Sequence, residues 1–574
     1  MNFLGVDVAG VDAEAFFRTA RNLYPFLALG WLLVSIRVRR PWFLVLGVLL
    51  ACGYVFLATH WPLQSLYGLL TSNDRVGNLA LVQVVAAGNS PIRTAQAGQL
   101  HFEPFWGLLV AVSSGFDPDR VLVLYPFFPL VMMWGFALAL YAGLRPDPRD
   151  PNPTDLAWSP WERALAAAFA LLLSSAPFEY AGTYRVPWAM TFLLKPNHAL
   201  GFVLAPLVMA AFARIRGWQG RLAVGFLLHL LGWVFVIHMA FFATGLVLFA
   251  ASAIFEGRVE RKRDVTDALS VIGVNVAVVS PYLVMLLVGY PFLHGNPRAM
   301  IPPFSPHLLE ASLKHGAIFG LGVWGAIVAW RRGDRLGRVF VTQLAAGYLI
   351  WAGFLLMSLI QLAKERDEIY YWIRFFTAAA AGLGAWDLVS RVARTLPLEP
   401  ARRAALVLAL AVPWSLPYWW DPLTMDSYIP GSLQPVPERL RAPTAFIRES
   451  TDRRAIFAGD SEYARFVSAL GARRVSRADN LIQTSDHLAR FELERRLVAD
   501  ADPAAALALA KQQGVTHLLV TPRLLALHQD AWAAQGQRAP LRRADLEARG
   551  HLSRLYVWSG AGGDFVAIYK VGAS

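Results

Sequence analysis

Long apolar stretches alternate with short polar stretches along most of this chain. A helix needs roughly 20 apolar residues to cross the hydrocarbon of a bilayer, and we identify twelve candidate spans. They lie at 23–36, 42–59, 121–143, 163–177, 199–213, 222–237, 239–255, 266–290, 316–330, 339–361, 375–390 and 404–420. The run 222–255 is too long for one helix, and we divide it near His238, where a polar residue interrupts it. The pattern predicts a mainly α fold: a polytopic membrane bundle of about 12 transmembrane helices.

The composition excludes a water-soluble enzyme. Hydrophobic residues make up 56% of the 574 residues, charged residues only 16%, and the mean hydropathy is +0.42. Soluble domains carry about 25% charged residues. The net charge of +13 does not indicate nucleic-acid binding, because the basic residues sit at the ends of apolar stretches. Cys52 is the only cysteine, so no disulfide can stabilise an extracytoplasmic domain within this chain.

The basic clusters predict the orientation of the bundle. They fall in alternate loops, and such clusters mark the cytoplasmic side. They occupy 37–40, 214–221, 258–263, 331–338 and 391–403. The loops 60–120, 178–198, 291–315 and 362–374 then face outward, as does everything after Trp420. Abundant arginine and alanine with scarce lysine indicate a GC-rich bacterial genome, so we expect a multi-pass protein of the bacterial inner membrane.

The pattern changes at residue 421, where short apolar runs begin to alternate with amphipathic helical stretches. We therefore divide the chain into a transmembrane domain, 1–420, and an extracytoplasmic α/β domain, 421–574. Strands are predicted at Ala455–Ala458, Thr516–Val520 and Phe565–Tyr569, and helices at Glu462–Leu470 and Leu524–Ala534. No glycine-rich nucleotide fingerprint follows a strand, so we expect no nucleotide cofactor.

The first outer loop carries the candidate catalytic residues. Its semi-apolar stretches, Asn78–Ala87 and Phe105–Val112, are too short to span and suit amphipathic helices in the membrane interface. Asp74 is a candidate general base or, alternatively, a solvated turn residue, since Ser, Asn and Asp are turn formers. Its neighbour Arg75 would hold a carboxylate ionised. His101 and Glu103 form a second candidate pair. Asp117 and Asp119 are interpreted as a turn and a helix cap.

Two further outer loops are dense in cations and aromatic residues. Cations near a helix N-terminus suit a phosphate group, because the helix-end amides also favour an anion. The candidate binding residues are Glu179, Tyr184, Arg185, Lys195, Asn197 and His198 in the second outer loop, and Glu368, Tyr371 and Arg374 in the fourth. The alternative is a set of interfacial anchors with snorkelling side chains. His229 and His238 are either part of a proton relay or bundle histidines satisfied by a neighbouring helix.

With those residues in place, the chain resembles the GT-C superfamily of integral-membrane glycosyltransferases, which use polyprenyl-phosphate-linked sugars. The likeness covers most of the length: many helices, a long first outer loop with an early acidic residue, and a C-terminal extracytoplasmic domain. It implies that Asp74 is the base and that the outer cations bind the lipid phosphate. Here Asn73-Asp74-Arg75 stands where relatives often have two acidic residues, which leaves Glu103 open as the base and the binding of a divalent cation, magnesium or manganese, in question.

The resemblance implies transfer of a sugar, with inversion, from a polyprenyl-phosphate donor to a hydroxyl of a glycan, lipid or protein acceptor. The transferred sugar is expected to be a hexose or a pentose. Two alternatives from other classes remain open. A secondary transporter would also have about twelve helices, but it usually shows internal repeats and broken helices, which this sequence lacks. A non-catalytic envelope-assembly protein would use its soluble domain to recruit an enzyme, and no outer-loop carboxylate would then matter.

Overall fold

The structure is a computed structural model. It describes residues 2–3, 6–7, 30–31, 33–34, 37–55, 73–93, 95–97, 104–125, 128–145, 158–173, 196–258, 260–289, 316–359, 367–393, 398–409, 411, 436–477, 487–500, 502–537 and 539–572. They are mostly helical, with a five-stranded mixed sheet near the C-terminus and a two-residue antiparallel hairpin, β1 (Asn2–Phe3) and β2 (Val6–Asp7). The chain divides into two compact units.

The first unit is a bundle of apolar helices drawn from residues 1–62, 127–282 and 296–430. Its described helices are α1 (Pro41–Val55), α5 (Phe128–Gly143), α6 (Pro160–Leu173), α7 (Pro196–Ala213), α8 (Gly217–Val234), α9 (Val236–Phe255), most of α10 (Arg261–Gly289), α11 (Gly316–Arg331), α12 (Arg335–Leu359) and α13 (Asp367–Val392). A further helical stretch covers 400–409. Each overlaps a predicted span, with two differences in bounds. α5 begins seven residues after the predicted start at 121, because residues 121–124 belong to a separate short helix, Pro118–Leu124, of the second unit. α13 begins eight residues before the predicted span and takes in part of the fourth outer loop.

The long run 222–255 forms two helices, as predicted. The break is at Phe235, whose backbone is extended (φ −156°, ψ 104°) between α8 and α9. Arg221 at the start of α8 bonds Asp267 of α10 at 2.7 Å, and Arg258, just after α9, bonds Asp264 of α10 at 2.8 Å. Because the start of α8 and the end of α9 reach the same turns of α10, the two helices form a hairpin.

A partly buried ion-pair network around two buried aspartates, which we name the charged end, joins several helix ends. It consists of Arg221, Glu256, Arg258, Asp264, Asp267, Arg335 and Arg338. Asp267 is only 1% exposed and accepts from Arg221 at 2.7 Å and from Arg335 at 2.6 Å. A buried carboxylate is tolerable when its charge is compensated in this way, and removing one partner of such a pair is strongly destabilising.

The charged end brings three predicted cytoplasmic clusters together, since its arginines come from 214–221, 258–263 and 331–338. Nearby helix ends are tied in the same manner: Arg332 pairs with Glu162 at the start of α6, and Arg214 donates to the Arg145 carbonyl at 2.6 Å. The alternation of basic clusters therefore corresponds to one common end of the bundle.

Many helices of this unit present large apolar side chains outward. Leu269 and Val276 of α10 are 57% and 54% exposed, and Phe226 of α8 is 53% exposed. Contiguous apolar surface of this kind suits lipid contact. By length and hydropathy, two described helical segments, Val236–Phe255 and Arg261–Pro281, are long and apolar enough to cross a membrane, whereas the other apolar helices in the described ranges are shorter. The prediction of about 12 spans is thus not confirmed as a number.

The second unit combines residues from 63–126 and 283–295 with the C-terminal residues 431–574. From the first outer loop come α2 (Asn73–Ala86), α3 (Pro104–Ser113) and α4 (Pro118–Leu124). The C-terminal helices are α14 (Glu438–Ser450), α15 (Ser461–Ala469), α16 (His487–Ala499), α17 (Pro503–Gln512), α18 (Pro522–Leu527), α19 (Gln529–Ala533) and α20 (Arg543–Glu547). The division at residue 421 stays a prediction, and the outer-loop helices belong to the same compact unit as the C-terminal residues.

The sheet contains β3 (Ile456–Gly459), β4 (Arg474–Val475), β5 (His517–Val520), β6 (Leu552–Ser559) and β7 (Phe565–Val571), in the order β4-β3-β5-β7-β6. β3 is parallel to β4 and β5, whereas β7 is antiparallel to β5 and β6. The three predicted strands are β3, β5 and β7, and the predicted α/β character is confirmed. Edge strands β4 and β6 were missed, because β4 is two residues long and β6 has no regular alternation.

The prediction that Asn78–Ala87 lies in the membrane interface is wrong. The stretch is helical, within α2, but every residue from Leu79 to Ala87 is buried, including Gln83, whose amide donates to the Pro118 carbonyl at 2.8 Å. An interfacial helix keeps a polar face in water. α2 instead packs against α3, α4 and α15, so its apolar character fills a protein core.

Candidate functional site

Two predicted binding segments lie in the first turns of helices. α7 begins at Pro196, whose ring fixes φ at a helical value, and Asn197 and His198 follow directly. α13 begins at Asp367, and Tyr371 and Arg374 lie one and two turns further.

His198, Tyr371 and the α8–α9 turn form a cluster of rings. The His198 ring is 4.0 Å from the ring of Phe235, the break between α8 and α9, and 5.7 Å from the Tyr371 ring, measured between centroids. His198 is 2% exposed, and Tyr371 is half-buried. The structure thus brings the second and fourth predicted outer segments together at the starts of α7 and α13.

His238 completes the ring cluster, a position that no sequence pattern indicates. It is fully buried, with its ring 4.3 Å from Phe202, 5.1 Å from Trp372 and 6.3 Å from His198. It also lies so close to Gly201 that a Cβ there would come within 2.3 Å of Nδ1. The bundle-facing interpretation fits this geometry. The ring of His229, the other histidine considered with it, lies 5.0 Å from the Trp233 ring in a tilted arrangement.

The ring cluster and the charged end lie at opposite ends of the same helices. His198 is in the first turn of α7, whereas Arg214, after its last turn, bonds Arg145. Sixteen helical residues correspond to about 24 Å. α9 repeats the arrangement, since it begins beside His238 and ends at Glu256 of the charged end. If the charged end is cytoplasmic, the ring cluster is extracytoplasmic, the side from which the candidate residues were chosen.

Arg374 lies about one turn after Tyr371 on α13. Because the two residues are three positions apart, they lie on the same face of the helix. Its side chain is half-buried. The α7 N-terminus, a histidine, a tyrosine and an arginine thus share one end of the bundle, a combination that favours an anion.

Several predicted site residues lie outside the described residues. These are His101, Glu103, Glu179, Tyr184, Arg185 and Lys195. For Asp74, Arg75 and Glu368 the structure describes the helix but not the side chain: Asp74 and Arg75 are in the first turn of α2, and Glu368 is the second residue of α13.

The second unit confirms one assignment in the first outer loop. Asp117 caps α4, accepting from the backbone N–H of Asp119 at 2.9 Å and from that of Arg120. Within the described ranges, no group of three or more His, Cys, Asp or Glu side chains is arranged to hold a metal ion.

No family model and no curated protein matches this sequence. Among solved structures, the chain is similar to the archaeal oligosaccharyltransferase AglB from Archaeoglobus fulgidus in complex with an inhibitory peptide and a dolichol-phosphate, at 13% identity over 92% of this chain and 74% of that one, with a TM-score of 0.44. The apo form of the Archaeoglobus fulgidus oligosaccharyltransferase gives 13% identity, the same coverage and a TM-score of 0.46. The complex of this Archaeoglobus fulgidus enzyme with Zn and sulfate gives 13% identity over 91% of this chain and 72% of that one, with a TM-score of 0.43.

Proposed function

We propose that this chain is an integral-membrane glycosyltransferase that moves a sugar from a polyprenyl-phosphate donor to an acceptor hydroxyl. The observation that carries the proposal is the meeting of the first turns of α7 and α13, with the His198 and Tyr371 rings 5.7 Å apart at the bundle end opposite the charged end. The GT-C resemblance of the sequence supports the same function. The C-terminal unit then faces the extracytoplasmic side of a bacterial inner membrane.

The donor's phosphate head group is assigned to the starts of α7 and α13. Backbone N–H groups at helix starts and the Arg374 guanidinium both favour an anion there. His198 and Tyr371 add donors beside them, and the lipid tail would follow the apolar outer faces of the helices. Arg185 and Lys195 are assigned to the same head group from their place in the sequence. The proposal requires at least two of these cations to touch one phosphate.

In the reaction, Asp74 takes the proton of the acceptor hydroxyl while that oxygen attacks the anomeric carbon. The bond between this carbon and the phosphate oxygen breaks, and polyprenyl phosphate leaves with its negative charge stabilised by the cations. Attack from the face opposite the leaving group inverts the configuration. General-base assistance contributes about 10² to 10⁴-fold in rate, so loss of the base should nearly abolish transfer.

These steps are assigned to this chain's own residues, and the binding of a divalent cation, magnesium or manganese, stays an open prediction. Arg374 and the helix starts supply the positive potential that the leaving phosphate needs.

The test is sugar transfer by the purified protein in proteoliposomes, with polyprenyl-phosphate sugars as donors. Asp74→Asn should fall at least about 100-fold in kcat with an unchanged KM for the donor, and Glu103→Gln should be milder. Glu438→Gln removes an exposed carboxylate and is the matched control. If Asp74→Asn turns over like the wild type, Asp74 is not the base, and if Glu103→Gln alone is inactive, Glu103 is.

The alternative functions give different results in the same vesicles. A transporter would move solute across the bilayer with no product glycoside, and its flux would not depend on Asp74. An assembly protein would show neither transfer nor flux. Either result, obtained with a panel of lipid-linked hexoses and pentoses, would overturn the glycosyltransferase proposal.

A further inference from the structure

The C-terminal residues hold the first outer loop at several separate points. α2 is buried from Leu79 to Ala87 and packs on α15, the helix that follows β3. A loop segment extends the sheet at its β4 edge, since Gln96 pairs with Val475 in a parallel bridge. The Ala97 N–H donates to the Val475 carbonyl at 2.8 Å, and the Val475 N–H donates to the Ala95 carbonyl at 3.0 Å.

The edge of the sheet explains why this bridge forms. β4 is the outermost strand in the order β4-β3-β5-β7-β6, so one side of it would otherwise present unpaired backbone groups. The loop segment satisfies them, and both Gln96 and Val475 are buried, at 1% and 0% exposure. The first outer loop is therefore an integral part of this α/β unit.

Two polar contacts hold the loop, one just after α2 and one at the start of α4. Asp119, in the first turn of α4, forms an ion pair with Arg448 of α14. The Asn89 amide, just after α2, donates to the Val84 carbonyl at 3.1 Å and lies 3.5 Å from the Arg453 carbonyl. Because α2 is fixed by packing along its length and by contacts at its C-terminal end, its first turn has little freedom.

We propose that the C-terminal domain positions the first outer loop for catalysis, with Arg448 and the Gln96–Val475 bridge as positioning groups for the α2 turn that carries Asp74. The inference rests on the proposed function, in which Asp74 is the base. A general base must be within about 2.6–3.2 Å of the proton that it takes, so a displacement of α2 lowers kcat. The affinity for the donor, assigned to α7 and α13, is unaffected.

α14 offers a matched pair of arginines for the test. Arg448 pairs with Asp119 of the outer loop, whereas Arg441 pairs with Glu438 of its own helix at 2.6 Å. Arg448→Ala should lower kcat by about fivefold with an unchanged donor KM, as expected for the loss of a partly exposed ion pair. Arg441→Ala should equal the wild type. The reversed pair, Arg448→Asp with Asp119→Arg, should recover the activity that Arg448→Asp loses.

A disulfide tests the bridge directly. Paired residues on neighbouring strands lie about 4.8 Å apart, within the range of Cα separations for a disulfide. In full-length protein with Cys52→Ser, the pair Gln96→Cys and Val475→Cys should cross-link on oxidation, and the oxidised enzyme should keep the kcat of the reduced one. A protein that does not cross-link, or that stops turning over until a reductant is added, would overturn the proposal.

These outcomes separate the two proposals. A wild-type protein that transfers no sugar refutes the proposed function. A wild type that is active and depends on Asp74, together with Arg448→Ala indistinguishable from Arg441→Ala, refutes only the positioning role.

Discussion

The effect of replacing glycine by alanine on α11 should depend strongly on position, because the closest packing between described helices of the bundle occurs at one glycine of this helix. α11 and α13 cross with their backbones in contact at Gly325: a Cβ there would lie 1.8 Å from the Ala380 carbonyl oxygen and 2.9 Å from the Gly384 nitrogen. Gly384 is constrained reciprocally, by the Leu321 carbonyl oxygen at 2.2 Å. We therefore expect Gly325→Ala to force the two helices apart.

The magnitude follows from what must move. Ordinary van der Waals contact begins at roughly 3.4 Å, so α13 must shift by more than about 1 Å, and no flexible side chain can absorb the change because the obstacle is backbone. Overpacking of this kind costs about 1–3 kcal/mol, and here the upper end applies. Alanine is favoured over glycine in a helix by about 1 kcal/mol, which leaves a net loss of about 2 kcal/mol.

Gly320 is the matched control on the same helix. It is exposed, and no atom lies within 4 Å of its added Cβ, so Gly320→Ala should raise stability by up to about 1 kcal/mol through helix propensity alone. The assay is the thermal unfolding midpoint of the purified protein in detergent, with kcat measured beside it because α13 carries Tyr371 and Arg374. Equal midpoints for the two variants would refute this account of the α11–α13 contact.

Three further predictions address pH, orientation and the charged end. Burial, with nearby cations as a second cause, lowers the pKa of His517 and His528 to about 4, below the unfolded value near 6.5. The stability that these two neutral histidines contribute is present above pH 6.5 and is lost as pH falls towards 4. His528→Gln should therefore reduce the acid-induced fall in the free energy of unfolding over this interval by up to about 3 kcal/mol, measured by denaturant titration of the purified protein. An unchanged pH profile of stability would contradict this. In a cysteine-free background, an impermeant thiol reagent should label Glu449→Cys but not Gln219→Cys in intact cells, and the reverse pattern would invert the proposed orientation. Asp267→Asn leaves two partly buried arginines, Arg221 and Arg335, undercompensated and should cost about 3 kcal/mol, the lower end of the range for buried pairs, measured as a lower unfolding midpoint. A cost below about 1 kcal/mol would mean that the charged end is hydrated.

The sequence determined the elements whose signals are local. Apolar runs located the bundle helices, and the interruption at His238 indicated the α8–α9 hairpin, because a polar residue and a change of direction leave a mark at one position. Basic clusters identified the helix ends that meet at the charged end. In the C-terminal part, the buried strands β3, β5 and β7 were found from short apolar runs, and Asp117 was recognised as a cap from its place before Pro118.

Only the tertiary structure decided how distant segments combine. Hydropathy alone cannot distinguish an apolar helix in a membrane interface from one buried in a protein core, and α2 proved to be the latter because α15 covers it. For the same reason the sequence did not predict β4. This strand is only two residues long, and its extended backbone is stabilised by its neighbours in the sheet, Gln96 among them. The ring cluster of His198, His238 and Tyr371 depends on residues about 170 positions apart along the chain, and which aromatic side chains face one another is set by helix packing, for which single-sequence periodicity carries no information.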